Sequence, residues 1–318
     1  MRILRGLPSF PAELAPSVTA LGAFDGIHLA HAKILQTTVA RARALGVAAM
    51  ACTYEPHPAA VLHPERAPVP IATPEENLAR MARAGLDATL VIPFTLEFSR
   101  IEAEAFVTEV LVNTVRAREV VVGYNHTFGR DARGTAALLQ SLGARHGFVA
   151  HVLPPLQVDG QTVSSSTIRE ALRDGDPARA RLFLGHPYSV SGPVLRGAGR
   201  GRTLGFPTAN LRPDRPLILS PGVYVARARW AGKGEGGGGT AGAVVNIGYR
   251  PTFAEHQYWV EAFLLDFSGD LYDRTLTLQF YDRVRGEQKF ADVEALKRQV
   301  MADIETARAA VPLLPPEE

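Results

Sequence analysis

SVTALGAFDGIHLAHAKILQ, residues 17–36, sets the architecture of the first half of the chain. Five strand-like residues run into a short loop containing Gly22 and Gly26, and the loop opens directly into the helical pattern LAHAKILQTTVARARAL. A strand handing over to a helix in this way begins a βα unit. The grammar repeats downstream with VAAMACTY (47–54), ATLVIPF (88–94), EVVVG (119–123) and FVAHVL (148–153) as strands and helical patterns between them. A parallel sheet covered by helices is therefore expected. Thr73, Pro74 and Glu76 form a capping-box signature, and Ser99 with Glu102 repeats it before FVTEVLV. Gly85 supplies a helix stop, and further helices are expected after Ser165 or Ser166 and from Asp176 and Pro177.

Beyond about residue 186 the pattern changes. YSVSGPVL, VYVARARW, AVVNIGY, YWVEAFLLDF and TLTLQFYDRV follow one another without intervening helices, which predicts an antiparallel sheet. ADVEALKRQVMADIETARAA then returns to a helical period, with Val293, Leu296, Val300 and Ile304 on one stripe. The run GKGEGGGG (232–239) reads as a hairpin tip or loop. These shifts place a boundary near Leu184–Pro187 and divide the chain into domains 1–185 and 186–318.

Composition excludes several classes. The 318 residues are 46% hydrophobic and 21% charged, with 34 basic against 32 acidic side chains, so no global field favours nucleic acid or an anionic membrane. Any anion site must be local. No stretch approaches the roughly 18 consecutive apolar residues of a membrane span, and the start lacks a signal-peptide pattern. The single cysteine, Cys52, lies in an apolar run and suits a reducing cytoplasm as a buried thiol.

The loop after the first strand carries the first chemical signal. Carboxyl ends of parallel strands are where ligands bind, and His28 and His31, three apart, would share a face in the helix's first turn beside free backbone amides. Amides, helix dipole and two imidazoles suit a phosphate, while Gly22 and Gly26 let the backbone come close. A metal pair lacks a third ligand at zinc spacing, and one histidine packed in the core is the other alternative. TVSSSTIREAL (162–172) adds Ser165, Ser166, Thr167 and Arg169 at a second helix start, a second set of phosphate donors or a simple N-cap.

These residues resemble a family. GAFDGIHLAH is similar to the GxFDGxHxGH signature, and VSSSTIRE to the ISSTxxR signature, of bacterial bifunctional riboflavin kinase/FAD synthetases. The resemblance implies a Rossmann-like α/β nucleotidyltransferase domain in which Gly22, Phe24, Asp25, Gly26, His28, His31, Ser165, Ser166, Thr167 and Arg169 hold ATP while FMN attacks the α-phosphorus. GRGRTLGFPTANL (199–211), VVNIGYRPTF, VEAFLLDF and VRGEQKF resemble the riboflavin kinase blocks. They imply an antiparallel β-barrel with a C-terminal helix. On an extended strand Thr208 and Asn210 face one side, a sparse oxygen pair sufficient for magnesium that keeps its waters and ATP oxygens. Gly199, Arg200, Gly201 and Arg202 suit a basic loop over triphosphate. The family's general base corresponds to Glu261; strand alternation alone, which puts Trp259, Glu261 and Phe263 on one face, also allows an outward surface residue.

Two departures stand out. Ala30 replaces a glycine of the first signature, and GYNHTFG puts Asn125 and His126 where many relatives have GxDFxFG. Asn125 keeps hydrogen-bonding capacity near flavin or phosphate. His126 can stack like phenylalanine but could also charge near pH 6.5, which predicts a pH dependence of adenylylation between roughly 5.5 and 7.5; a neutral packed ring is the alternative. The expected substrates are riboflavin, FMN and ATP with Mg²⁺, FAD is the product, and an oligomer is compatible with the sequence. A nucleotidyltransferase for another small phosphate ester, or a flavin- or RNA-binding regulator, are the competing classes.

Overall fold

A computed structural model describes residues 1–197, 201, 204–232, 237–252 and 255–314. They form two compact units, residues 1–68 with 72–164 and residues 69–71 with 165–318.

The first unit runs β1 (Arg2–Arg5), β2 (Ser17–Leu21), α1 (Leu29–Leu45), β3 (Ala48–Glu55), α2 (Pro58–Leu62), α3 (Pro74–Arg83), β4 (Ala88–Pro93), α4 (Ala103–Phe106), a π-helical stretch Val107–Thr114, and β5 (Ala117–Gly123). A short ladder β6 (Thr127–Phe128) with β7 (Gly134–Thr135), then α5 (Ala136–His146), β8 (Val149–Leu153) and the pair β9 (Gln157–Val158) and β10 (Gln161–Thr162) complete it. The main sheet is parallel, in the order β1-β4-β3-β2-β5-β8. Successive strand residues serve opposite faces. Ala49 and Ala51 pack with Leu35 and Met81 under α1 and α3, whereas Met50 and Cys52 pack with Phe106, Leu111 and Leu139 on the other side. Both faces are dry, as the continuous apolar strands require.

Local signals explain most helix ends. Thr73 Oγ1 accepts from the Glu76 N–H and the Glu76 side chain accepts from the Thr73 N–H, which completes the capping box. Gly85, at φ +88°, follows the end of α3. The second expected box does not form. Ser99 lies in a 3₁₀ turn and donates to the Leu96 carbonyl, and α4 starts after Glu102 without a side-chain cap. Strand β1 went unread in the sequence because four edge residues give little periodicity.

The second unit begins with α6 (Ser165–Arg173) and α7 (Pro177–Leu184), the latter capped by Asp176 Oδ1 accepting from the Arg179 N–H. Six antiparallel strands follow: β11 (Tyr188–Leu195), β12 (Ala209–Leu211), β13 (Gly222–Trp230), β14 (Gly239–Thr252), β15 (Glu255–Leu264) and β16 (Thr275–Arg285). They close as β11-β12-β15-β14-β13-β16. Closure removes every sheet edge. Tyr224 and Phe280 meet edge to face inside, with centroids 5.8 Å apart. Residues 233–236 of the glycine-rich run lie outside the described residues, and the strands flanking it pair as Trp230 with Gly239.

Outside the barrel, α8 (Val293–Ala310) packs Ile304 and Ala307 against Val223, Val225 and Val244. Asp303 is buried and accepts from Arg285 Nε at 3.0 Å and Nη2 at 2.8 Å, which fixes α8 to β16. The expected stripe is only partly buried, because Val293 at the helix start is exposed. Residues 69–71 join this unit through two arginines: Arg169 Nε donates to the Val69 carbonyl and Arg215 Nη2 to the Ile71 carbonyl, both at 2.8 Å.

Helix α7 touches β11 and β16 and buries Ala180, Phe183 and Leu184. Burying a large apolar side chain stabilises by about 1.5–3 kcal/mol. A fragment of residues 165–318 should therefore unfold at a clearly higher urea concentration than one of residues 186–318. Equal midpoints would show that α7 adds nothing to this core.

Candidate active sites

The order of the parallel sheet creates the first site. From β2 the chain moves outward through β3 and β4, then returns to the other side of β2 with β5, so strand order reverses between β2 and β5. Open α/β sheets bind ligands outside the carboxyl ends of the strands at such a reversal. The two unusual loops, Gly22–His28 and Tyr124–His126, leave the sheet at these two strand ends.

The first loop is closely tied. A Cβ on Gly22 would lie 3.2 Å from the Phe24 ring, which is itself buried and meets His31 edge-on at 5.0 Å. Asp25 is buried and accepts from the Ala72 N–H at 3.2 Å, and Gly26, at φ +81°, donates its N–H to Asn77 Oδ1 at 2.9 Å. Ile27 has φ +40°, a conformation that costs a β-branched residue about 1–3 kcal/mol. Burial of its side chain with Phe24 and Ile34 offsets that strain.

His28 sits one position earlier than the sequence suggests, at the N-cap of α1 rather than in its first turn. Its Nδ1 accepts from the His31 backbone N–H at 3.3 Å, so the neutral ring carries its proton on Nε2. The rings of His28 and His31 stack at 3.6 Å and 16°. Burial, and secondarily the neighbouring His28, hold His31 well below the ordinary imidazole range, and among the described residues its buried Nδ1 has no hydrogen-bond partner. A buried His31 held in its neutral form is poised to gain stabilisation of its charged form when an anion arrives, because a phosphate supplies opposite charge beside it.

At the β5 end, Asn125 is exposed and His126 packs nearly parallel to Phe128, centroids 5.9 Å apart. Burial pushes His126 down to about 4. A charged ring near neutral pH, the basis of the expected adenylylation profile, is thus disfavoured. Ser165, Ser166 and Thr167 form the first turn of α6 in the second unit, with Arg169 buried one turn on. One edge of that guanidinium is used on the Val69 carbonyl.

The second site is a cavity of about 920 Å³ on the barrel wall, lined by Gly201, Thr208, Asn210 and Glu261 among others. Four residues singled out from the sequence therefore meet around one space. Thr208 directly precedes β12, Asn210 lies within it, and Glu261 of β15 is Asn210's register partner. Gly197 packs against the Asn210 carboxamide and Gly201 against the Phe206 carbonyl, and a Cβ at either would fill the cradle. Gly199, Arg200 and Arg202 lie outside the described residues. Glu261 points to the cavity, not to open surface. Trp259 Nε1 donates to its Oε1 at 2.5 Å, so the shared face read from alternation is a working contact. Phe206, Phe263, Leu296 and Val300 supply apolar walls.

Sequence reasoning missed Asn77, Gly197 and the Trp259 clamp. Asn77 reaches the loop from 51 positions away and left no local signal.

An α/β unit with a switch-point loop, joined to a barrel whose wall holds hydroxyl, carboxamide and carboxylate groups, defines a two-site phosphotransfer protein. Comparison with known proteins specifies it. The FAD synthetase family matches residues 10–167 and the riboflavin kinase family residues 184–311. The chain belongs to the bifunctional riboflavin kinase/FMN adenylyltransferase family. Proteins so named are 37% identical in Pseudomonas fluorescens, over 97% of each chain, and 34% identical in Bacillus subtilis, over 93% of this chain and 92% of that one. A solved Streptococcus pneumoniae structure, titled a macrolide-efflux protein, superposes with a TM-score of 0.86 at 28% identity, covering 97% of this chain and 99% of that one. Among the described residues no helix is long and apolar enough to cross a membrane.

The His126 environment makes a test. The folded ring titrates near 4 and the unfolded ring near 6.5, so the unfolded chain binds the extra proton between these values. Stability contributed by the neutral ring is complete above about 6.5 and falls as pH drops toward about 4. His126→Phe should flatten this acid limb in denaturant melts while leaving the adenylylation pH profile between roughly 5.5 and 7.5 unchanged. A shifted activity profile would restore a charged His126.

Proposed function

We propose that the chain makes both flavin cofactors: it phosphorylates riboflavin to FMN at the barrel and adenylylates FMN to FAD at the α/β unit. The observation that carries the reading is the meeting of Thr208, Asn210 and Glu261 on one cavity wall. In the kinase reaction Glu261 takes the proton of the riboflavin terminal hydroxyl as its oxygen bonds to the γ-phosphorus and ADP leaves. Trp259 holds one carboxylate oxygen in place during this transfer. Thr208 and Asn210 offer neutral hard oxygens, and the described residues contain no group of three or more His, Cys, Asp and Glu side chains fit for a metal ion. That sparse set fits magnesium, which prefers phosphate oxygens and water to a full protein cage. Magnesium bound there supplies neutralisation of phosphate charge.

In the adenylyl transfer an FMN phosphate oxygen bonds to the α-phosphorus of ATP and pyrophosphate leaves. No protein nucleophile is needed, so alignment and charge stabilisation carry the rate. His28 donates from Nε2, and His31 gains basicity as the anion approaches. Gly22, Phe24, Asp25 and Gly26 hold the loop's shape, Asn125 serves the flavin or phosphate side, and Ser165, Ser166, Thr167 and Arg169 are assigned to nucleotide phosphate. Gly199, Arg200, Gly201 and Arg202 are assigned to the kinase triphosphate. The functional division falls at residues 1–185 and 186–318. A reducing, cytoplasmic setting fits the lone Cys52, whose thiol burial pushes up to about 12. A different phosphate ester as substrate, or a purely regulatory role, would leave the barrel's base and oxygen pair without a task.

With magnesium and ATP present, riboflavin should yield FMN and supplied FMN should yield FAD on chromatography. Glu261→Ala should lower riboflavin phosphorylation by about 10²- to 10⁴-fold and leave FAD formation intact. His31→Ala should do the reverse, by about 10²- to 10³-fold. Parallel loss of both activities in a folded variant would contradict separate sites.

A further inference from the structure

The barrel register extends the kinase wall by one residue, Asn246, which lies within the VVNIGYRPTF block and to which the sequence alone gave no role. Asn210 on β12 pairs with Glu261 on β15, and Glu261 pairs in turn with Asn246 on β14. Neighbouring strands lie about 4.8 Å apart, so the three side chains form a polar row roughly 10 Å from end to end. All three line the same cavity. On β14 the flanking Val245 and Ile247 are fully buried in the barrel, and Asn246 is exposed to the cavity. Among the described residues its carboxamide has no hydrogen-bond partner.

We propose that Asn246 is a specificity-determining residue that binds the polyhydroxy chain of the phosphoryl acceptor. The inference rests on the assignment of Glu261 as base and of Asn210 to the phosphate side. In a phosphoryl displacement the attacking and leaving oxygens are roughly in line across phosphorus. With the triphosphate cradle of Gly201, Thr208 and Asn210 on one side of Glu261, the acceptor hydroxyl enters from the other. The chain bearing that hydroxyl then runs past the next position of the row, which is Asn246. A carboxamide both donates and accepts, as adjacent hydroxyls do, so one side chain can engage two of them. Being neutral, it also does not repel the phosphate that the product carries.

Asn246→Ala should raise the KM for riboflavin about tenfold, with kcat and the KM for MgATP within about twofold of the parent, the pattern of a contact made equally in ground and transition states. Lumiflavin, which has the ring system without the polyol, should bind the variant and the parent equally in fluorescence titration. Circular dichroism and an unchanged urea midpoint of a fragment of residues 165–318 carrying the substitution report that the barrel is folded. Should the alanine variant fail to fold, the nearly isosteric Asn246→Asp, which keeps the acceptor and loses the donor, is measured in its place and should likewise weaken riboflavin but not lumiflavin. A raised KM for MgATP, equal weakening of riboflavin and lumiflavin, or unchanged riboflavin kinetics would each overturn the proposal. Failure of the underlying reading shows separately, as full phosphorylation by Glu261→Ala.

Discussion

A buried strand must find main-chain partners on both sides, and both units are solutions to that one constraint. In the first, parallel pairing demands long crossovers, and the helices that make them cover both faces of the sheet. In the second, antiparallel pairing needs only short links, and the ladder closes upon itself. What remains for chemistry is whatever these solutions leave unoccupied. For the parallel sheet it is the carboxyl ends of strands where the order reverses; for the barrel it is the outer face of a wall whose inner face is already full.

Each vacancy is shaped by nearby packing. The loop after β2 holds a strained Ile27 because apolar burial of its side chain offsets the strain, while Asn77 and the Ala72 N–H fix the two residues before it, Gly26 and Asp25. On the barrel, Val260 and Ala262 point inward and are essentially inaccessible, so Trp259, Glu261 and Phe263 have the other side. Helix α8 then makes this wall one side of a cavity, since the Arg285–Asp303 ion pair and the contacts of Ile304 hold it there. The Glu261 carboxylate and the apolar walls are thus placed by alternation and by one buried ion pair.

Much of this was legible in the residues. The strand–loop–helix pattern around residue 22, the Thr73–Glu76 box, the Asp176 cap and the succession of barrel strands are local, and local rules read them. Thr208 and Asn210 stood out by their spacing on a strand, whereas Glu261 was singled out only by the resemblance to the riboflavin kinase blocks; all three line one cavity. The rest depends on pairing between distant segments. Ser99 has the composition of a cap, but the chain there tightens into a 3₁₀ turn and uses the hydroxyl on Leu96. Val293 has the right helical phase and lies beyond the reach of the barrel surface. His126 carries an ordinary imidazole whose basicity is lowered by burial, which its own segment does not reveal. Asn246 becomes visible only once the register of three strands is known.

His28 carries two obligations at once. Its imidazole caps α1 through Nδ1 and stacks on His31. Selection on this codon is therefore double: a serine or aspartate would satisfy the helix and fail the stack, and a phenylalanine would satisfy the stack and fail the helix. An asparagine would cap well and offer a donor of shorter reach.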